Sequence, residues 1–189
     1  MEMNPIYSSL SSVVASLTHA LREDNAGPEQ LRAILSATHL SPSEWQQYIH
    51  FDPHRYTRNL LALTPEFSLL LLCWSPNQRT PIHQHATSRS VCICVLEGAL
   101  EIVKYQEDQF GQVIRNEDEN ILLTNTTAMF DSADLGLHQT VNASSYNTIS
   151  LHLYTPPEIE CQFKSNAGEI RSLPVSYCAK QASMSRSPS

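Results

Sequence analysis

A chain of 189 residues with 41% hydrophobic and 16% charged side chains has the make-up of a folded globular protein, long enough for one well-filled core and short for two. Its net charge of −7 comes without any dense Lys/Arg cluster, which argues against nucleic acid or an anionic lipid surface as a partner. The N-terminal stretch MEMNPIYSSLSSVVASL lacks a basic n-region and a long apolar run, and no stretch approaches the ~20 apolar residues of a membrane span, so a cytoplasmic setting and a small-molecule ligand are expected. The five cysteines (73, 92, 94, 161 and 178) include no CxxC pair and read as reduced thiols rather than a disulfide framework. Asn125-Thr-Thr and Asn142-Ala-Ser match the glycosylation pattern, which has meaning only in a secreted chain.

In chain order, residues 8–22 place Leu10, Val13, Val14, Leu17 and Leu21 at helical spacing, and a second such run carries Leu31, Ile34 and Leu35 after Pro28. A third helix is expected at Ser41-Pro42-Ser43-Glu44, with Ser as cap, Glu closing a capping box, and Trp45, Tyr48 and Ile49 facing inward. Roughly the first 50 residues thus form a helical preface. From Tyr56 the chain changes to short apolar runs: YTRNLLAL, FSLLLLCW, SVCICVLEG, ALEIVKYQ, NILLTNT and NTISLHLY. These read as strands of an antiparallel sandwich or barrel, with turns at Pro65, Pro76-Asn77, Gly98, Gly111-Gln112 and Asn116-Glu117. After Pro156-Pro157 the pattern weakens, and residues from about 179 to 189 read as a loose tail, so that one domain spans 1–189. A monomer is expected, because no extended apolar stripe is left over.

His83-Gln84-His85 opens a strand-like stretch, where residues two apart point to one face, so both imidazoles can reach one point. His138 follows 53 residues later in Gly136-Leu137-His138, with Gly136 letting the backbone turn closely before it. In Ser150-Leu-His152-Leu-Tyr154 a hydroxyl, an imidazole and a phenol share one face and the leucines the other. Taken alone, H-x-H arises by chance and the polar face could be a solvated edge. The histidines at 19, 39, 50 and 54 read as surface or packing residues, and Cys73 and Trp74 as core.

The histidine pair, Gly98 and the later G-x-H-x-x-x-N resemble the two cupin motifs taken together. His83-Gln-His85, Leu135-Gly-Leu-His138, Ser150-Leu-His-Leu-Tyr-Thr-Pro-Pro157, Tyr56-Thr-Arg-Asn59 and Leu72-Cys-Trp74 together resemble the thiol dioxygenases, specifically the cysteine dioxygenases, in order from about residue 55 to 161. The resemblance implies a mainly β cupin, a jelly-roll-like barrel or sandwich with a short N-terminal helical segment. It implies one non-haem Fe(II) on His83, His85 and His138, with Arg58 holding the carboxylate of L-cysteine. A planar guanidinium fork suits that carboxylate, and Tyr56 would face the same way. Ser150, His152 and Tyr154 match the family's hydrogen-bonded row beside the iron, and the reaction would add both atoms of O2 to sulfur, giving a sulfinic acid.

Two departures are visible. The cupin first motif has a Glu soon after H-x-H, whereas residues 86–91 hold no carboxylate, leaving three neutral imidazoles and a divalent ion with its full charge. The animal enzymes carry a cysteine bonded to the tyrosine ring; its position falls on Ser90 or Val91, and Cys92 would need a one-residue bulge to come round, so the cross-link is not expected. Cys161 follows the prolines as a cysteine does in the family, without a physical role assigned to it. Imidazole suits Zn, Cu, Ni and Fe alike. The alternatives are a dioxygenase for 3-mercaptopropionate or cysteamine, a zinc hydrolase or another metal cupin, and a cupin that binds a ligand without turnover.

Overall fold

The structure is a computed structural model and describes residues 7–23, 26–116, 120–165 and 169–178; the expected tail at 179–189 lies outside them. Helix α1 (Leu10–Arg22) starts at Ser9, whose hydroxyl accepts from the Ser12 backbone N–H at 3.2 Å. Helix α2 (Pro28–Ser36) begins on its proline, where a missing N–H costs nothing. Their buried residues Val13, Leu17, Leu31 and Leu35 all face the sheet beneath. The third helix is shorter than expected: α3 (Pro42–Trp45) is one turn running into a 3-10 turn at Gln46–Tyr48. Ser41 makes no side-chain cap there, and Glu44 accepts instead from the Leu10 N–H at 2.9 Å, satisfying an orphan donor in the first turn of α1. The capping box expected at Ser41 is thus replaced by a clamp between two helices. Trp45 is buried as expected, with Tyr48 and Ile49 packed at the same core.

Twelve strands follow: β1 (Thr57–Leu63), β2 (Ser68–Trp74), β3 (His83–His85), β4 (Ser90–Glu97), β5 (Ala99–Glu107), β6 (Val113–Arg115), β7 (Ile121–Leu123), β8 (Thr127–Asp131), β9 (His138–Asn142), β10 (Thr148–Thr155), β11 (Glu160–Lys164) and β12 (Ile170–Pro174). A one-turn helix α4 (Ser132–Leu135) stands between β8 and β9. The pairings between these strands are antiparallel among the described residues. They form a five-stranded sheet, β1-β2-β10-β4-β8, and a seven-stranded one, β12-β11-β3-β9-β5-β6 with β7 also on β5.

The central strands of the five-stranded sheet, β2, β10 and β4, are buried on both faces. Leu69, Leu71, Cys73, Leu151 and Leu153 pack against the helices, while Leu70, Leu72, Trp74, Ile93 and Val95 face the interior. A strand buried on both sides loses polar alternation, which is why FSLLLLCW reads as one unbroken run. Strands β6, β8, β9, β11 and β12 are not among the predicted runs. They are three to five residues long and mostly exposed or half-buried, β9 excepted, so they carry little apolar signal. The chain beyond Pro157 pairs at the sheet edge through main-chain bonds. Gly98, at φ 85°, turns β4 into β5, and a Cβ there would lie 2.1 Å from Thr148 Oγ1. Among the described residues no helix is long and apolar enough to cross a membrane.

Candidate metal centre

Strand β3 sits between β9 and β11, so that His83 pairs directly with His138 and His85 with Cys161. The imidazole centroids of His83, His85 and His138 lie 4.2 to 5.3 Å apart, and one ring nitrogen from each falls within 4.8 Å of the others. The two pieces 53 residues apart in sequence are brought together by one sheet.

Every Nδ1 of the three has an acceptor that carries no hydrogen. His83 Nδ1 meets Pro81 O at 3.0 Å, His138 Nδ1 meets Gly136 O at 2.9 Å, and His85 Nδ1 meets Glu158 Oε2 at 3.1 Å. The proton therefore sits on Nδ1 and the Nε2 lone pairs are left free. Gly136 takes φ 56°, the left-handed turn out of α4 that aims its carbonyl at the His138 ring. Burial, then the neighbouring imidazoles, push His83 far below its ordinary value and His138 down to about 3. Both are neutral at physiological pH, as metal-ligating imidazoles must be. The donor set fits a divalent ion.

Beside this cluster, on β10, Ser150, His152 and Tyr154 share the inward face. Ser150 Oγ is 2.9 Å from His152 Nε2, and His152 Nδ1 is 3.4 Å from the Tyr154 hydroxyl. Trp74, expected only to fill core, is indeed fully buried, but its indole Nε1–H donates to Ser150 Oγ at 3.0 Å. Indole cannot accept, and Ser150 has no other side-chain partner among the described residues, so the buried Ser150 hydrogen goes to His152 Nε2. His152, held neutral by burial and by Arg58 with a pKa near 3, then donates from Nδ1 to the tyrosine oxygen. The Tyr154 hydrogen is left to point into the cavity.

Arg58, on β1 across from Leu72, completes the wall. Its Nε and Nη2 are buried and have no hydrogen-bond partner among the described residues, and its Cζ sits 5.6 Å from the Tyr154 ring centre. Burial works against its charge, yet the phenols and the thiol around it hold its pKa above the ordinary value. Tyr56 stacks on Trp74 with centroids 4.6 Å apart and lines the same cavity. Leu72, Val91 and Ile93 supply its apolar lining.

All eight residues singled out from sequence line this one cavity except Ser150, which stands behind His152. The histidines at 19, 39, 50 and 54 are exposed and take no part. Val91 pairs with Tyr154 across β4 and β10 and meets the cavity, whereas Cys92 faces the helices in the opposite core. Asn142 binds Trp74 O, Ser75 O and Tyr146 O through Nδ2, a structural staple rather than a modification site. Sequence reasoning missed Glu158, whose distance of 73 residues from His85 and place in a polar connection gave no signal. Cys161 is buried beside Arg58, and burial raises its thiol to about 11.

Two antiparallel sheets closed around three converging imidazoles define a cupin with a site for a metal ion. A family model described as cysteine dioxygenase type I matches residues 3–167, and the chain belongs to that family, whose members are oxidoreductases of the dioxygenase class. It is 29% identical over 176 residues to cysteine dioxygenase type 1 of Homo sapiens, covering 90% of this chain and 86% of the relative. To that of Rattus norvegicus it is 30% identical over 176 residues, with the same coverage of 90% and 86%. Among solved structures, TT1209 from Thermus thermophilus is 18% identical, with a TM-score of 0.47, covering 59% of this chain and 93% of that one.

Proposed function

We propose that the chain catalyses the Fe(II)-dependent dioxygenation of free L-cysteine to cysteine sulfinic acid. The observation that carries the substrate is Arg58: a guanidinium with two buried, unpartnered N–H groups beside a three-histidine cluster. A buried donor left unmade costs roughly 1–3 kcal/mol, more for a charged group, and a substrate carboxylate would recover it through paired charge-assisted bonds. A small thiol carrying a carboxylate fits such a wall better than one without.

Ferrous iron on His83, His85 and His138 would supply the dioxygen chemistry that the side chains lack. The remaining work falls to the chain. Arg58 holds the carboxylate, Tyr56 packs the wall through its stack on Trp74, and Leu72, Val91 and Ile93 keep water from the reacting sulfur. Tyr154 stays protonated, because burial pushes its phenol far up, and it offers its hydrogen to the reacting atoms. Trp74, Ser150 and His152 fix the direction of that hydrogen. One copy of the chain supplies every residue of the pocket, and a cytoplasmic setting agrees with five free thiols.

Oxygen uptake by the iron-loaded protein with L-cysteine, 3-mercaptopropionate and cysteamine side by side tests the reading. Uptake is expected to be fastest with L-cysteine, with sulfinic acid as the product. No uptake with any of the three sinks the dioxygenase reading; uptake with cysteamine alone removes the carboxylate from it.

A further inference from the structure

Residues 86–91 lack the carboxylate expected after the histidine pair, yet a carboxylate is present at the centre from elsewhere. Glu158, in the connection between β10 and β11, is 0% exposed. It accepts from His85 Nδ1 at 3.1 Å, from the backbone N–H groups of Ala86, Thr87 and Ser88 at 3.2 to 3.3 Å, and from the Thr87 hydroxyl at 3.1 Å. Among the described residues, no lysine or arginine forms an ion pair with it; its one ion-pair contact is with the His85 ring.

Such a cradle holds a full negative charge inside the protein. Five donors face its two oxygens, the surroundings of an ionised carboxylate, which only accepts. A buried anion without a cation is costly, and hydrogen bonds repay only part of that cost. A cation on the far side of the His85 ring, where the free Nε2 meets those of His83 and His138, would answer it; Glu158 also lies within ligand distance of His85 and Cys161, but its oxygens there are already taken up by the His85 ring and the backbone N–H groups. The three ligands differ in this respect. His83 and His138 donate from Nδ1 to neutral backbone carbonyls, and only His85 donates to a carboxylate.

We propose that Glu158 is the positioning and charge-balancing partner of the metal centre, orienting His85 through Nδ1 and supplying the negative charge that the strand after His85 does not. This rests on the reading of His83, His85 and His138 as metal ligands. A carboxylate behind an imidazole fixes its tautomer and strengthens it as a ligand, and its loss typically weakens metal binding about 10–100-fold. Gln at 158 keeps the shape and can still accept from the backbone, but one of its two terminal groups only donates and cannot face a protonated Nδ1.

The test is divalent-ion binding to metal-free protein, Co(II) and Zn(II), by competition with a chelator, for the wild type and Glu158→Gln. A loss of tenfold or more in the variant is the expected result; any smaller change overturns the assignment of Glu158. A wild-type chain that binds neither ion overturns the three-histidine reading itself, so the two failures are distinct. Should the variant not fold, 15N NMR of the metal-free wild type decides: His85 is expected to carry its proton on Nδ1, and a ring protonated on Nε2 alone overturns the proposal. A side chain that merely filled space would leave that tautomer undetermined.

Discussion

At the scale of single residues, the pocket is organised by groups whose hydrogen-bonding capacity is one-sided. Arg58 only donates, and two of its buried donors are unmet. Arg58→Gln is expected to raise KM for L-cysteine by about 10–100-fold, the loss of a charge-assisted contact of roughly 1.5–3 kcal/mol. Any rate with cysteamine, which has no carboxylate, should stay within a few-fold; an unchanged KM for L-cysteine removes Arg58 from the substrate site. Trp74 also only donates, and it fixes the polarity of the Ser150-His152-Tyr154 row. Trp74→Phe keeps the aromatic ring but lets the Ser150 hydroxyl reverse. We expect kcat to fall about tenfold with KM nearly constant, since the tyrosine hydrogen matters most where charge develops. A KM change without a kcat change would reduce Trp74 to a wall of the pocket.

At the scale of elements, the site depends on β10, which pairs with β2 and β4 and is buried along its length. Its alternation sends leucines to the helices and the Ser150-His152-Tyr154 row inward, so a slip of one residue would exchange the two sets. The turn at Gly98 guards the register. A side chain there would combine φ 85° with a clash against Thr148 at the start of β10. Gly98→Ala is expected to destabilise the chain by at least about 2 kcal/mol, read from the shift in urea midpoint. A midpoint equal to wild type would show that Thr148 gives way freely.

At the scale of the whole molecule, burying uncharged imidazoles ties stability to pH. His138 and His152 fall from 6.5 to about 3 on folding, and His83 shifts the same way. Between about pH 3 and 6.5 the unfolded chain binds protons that the folded chain refuses, so stability rises with pH in that window and is flat above it with respect to these groups. Each such group contributes about 1.4 kcal/mol per pH unit. Glu158, lowered from 4.5 to about 2, adds a loss of the same sign only below about pH 4.5. Denaturation of the metal-free protein should therefore become easier from pH 6 to 4, and His152→Gln should reduce that slope by about one group's share. Equal slopes in the two proteins would mean that His152 is charged in the fold.

Much of this was present in the order of residues alone. Period-two spacing puts His83 with His85 and lines up Ser150, His152 and Tyr154, and a helical period marks α1 and α2, because these are local properties of the backbone. The membership of the family was legible in the same motifs. What the tertiary structure decided is everything that depends on contacts between distant segments. It brought Glu158 under His85, turned the Trp74 indole to Ser150, left Arg58 Nε and Nη2 unmet, and moved Glu44 from its own helix to α1. It also paired the short strands β9, β11 and β12, whose few residues carry no periodicity to read. A hydrogen bond between residues 73 apart leaves no pattern along the chain; only the closing of the sheets brings its two ends together.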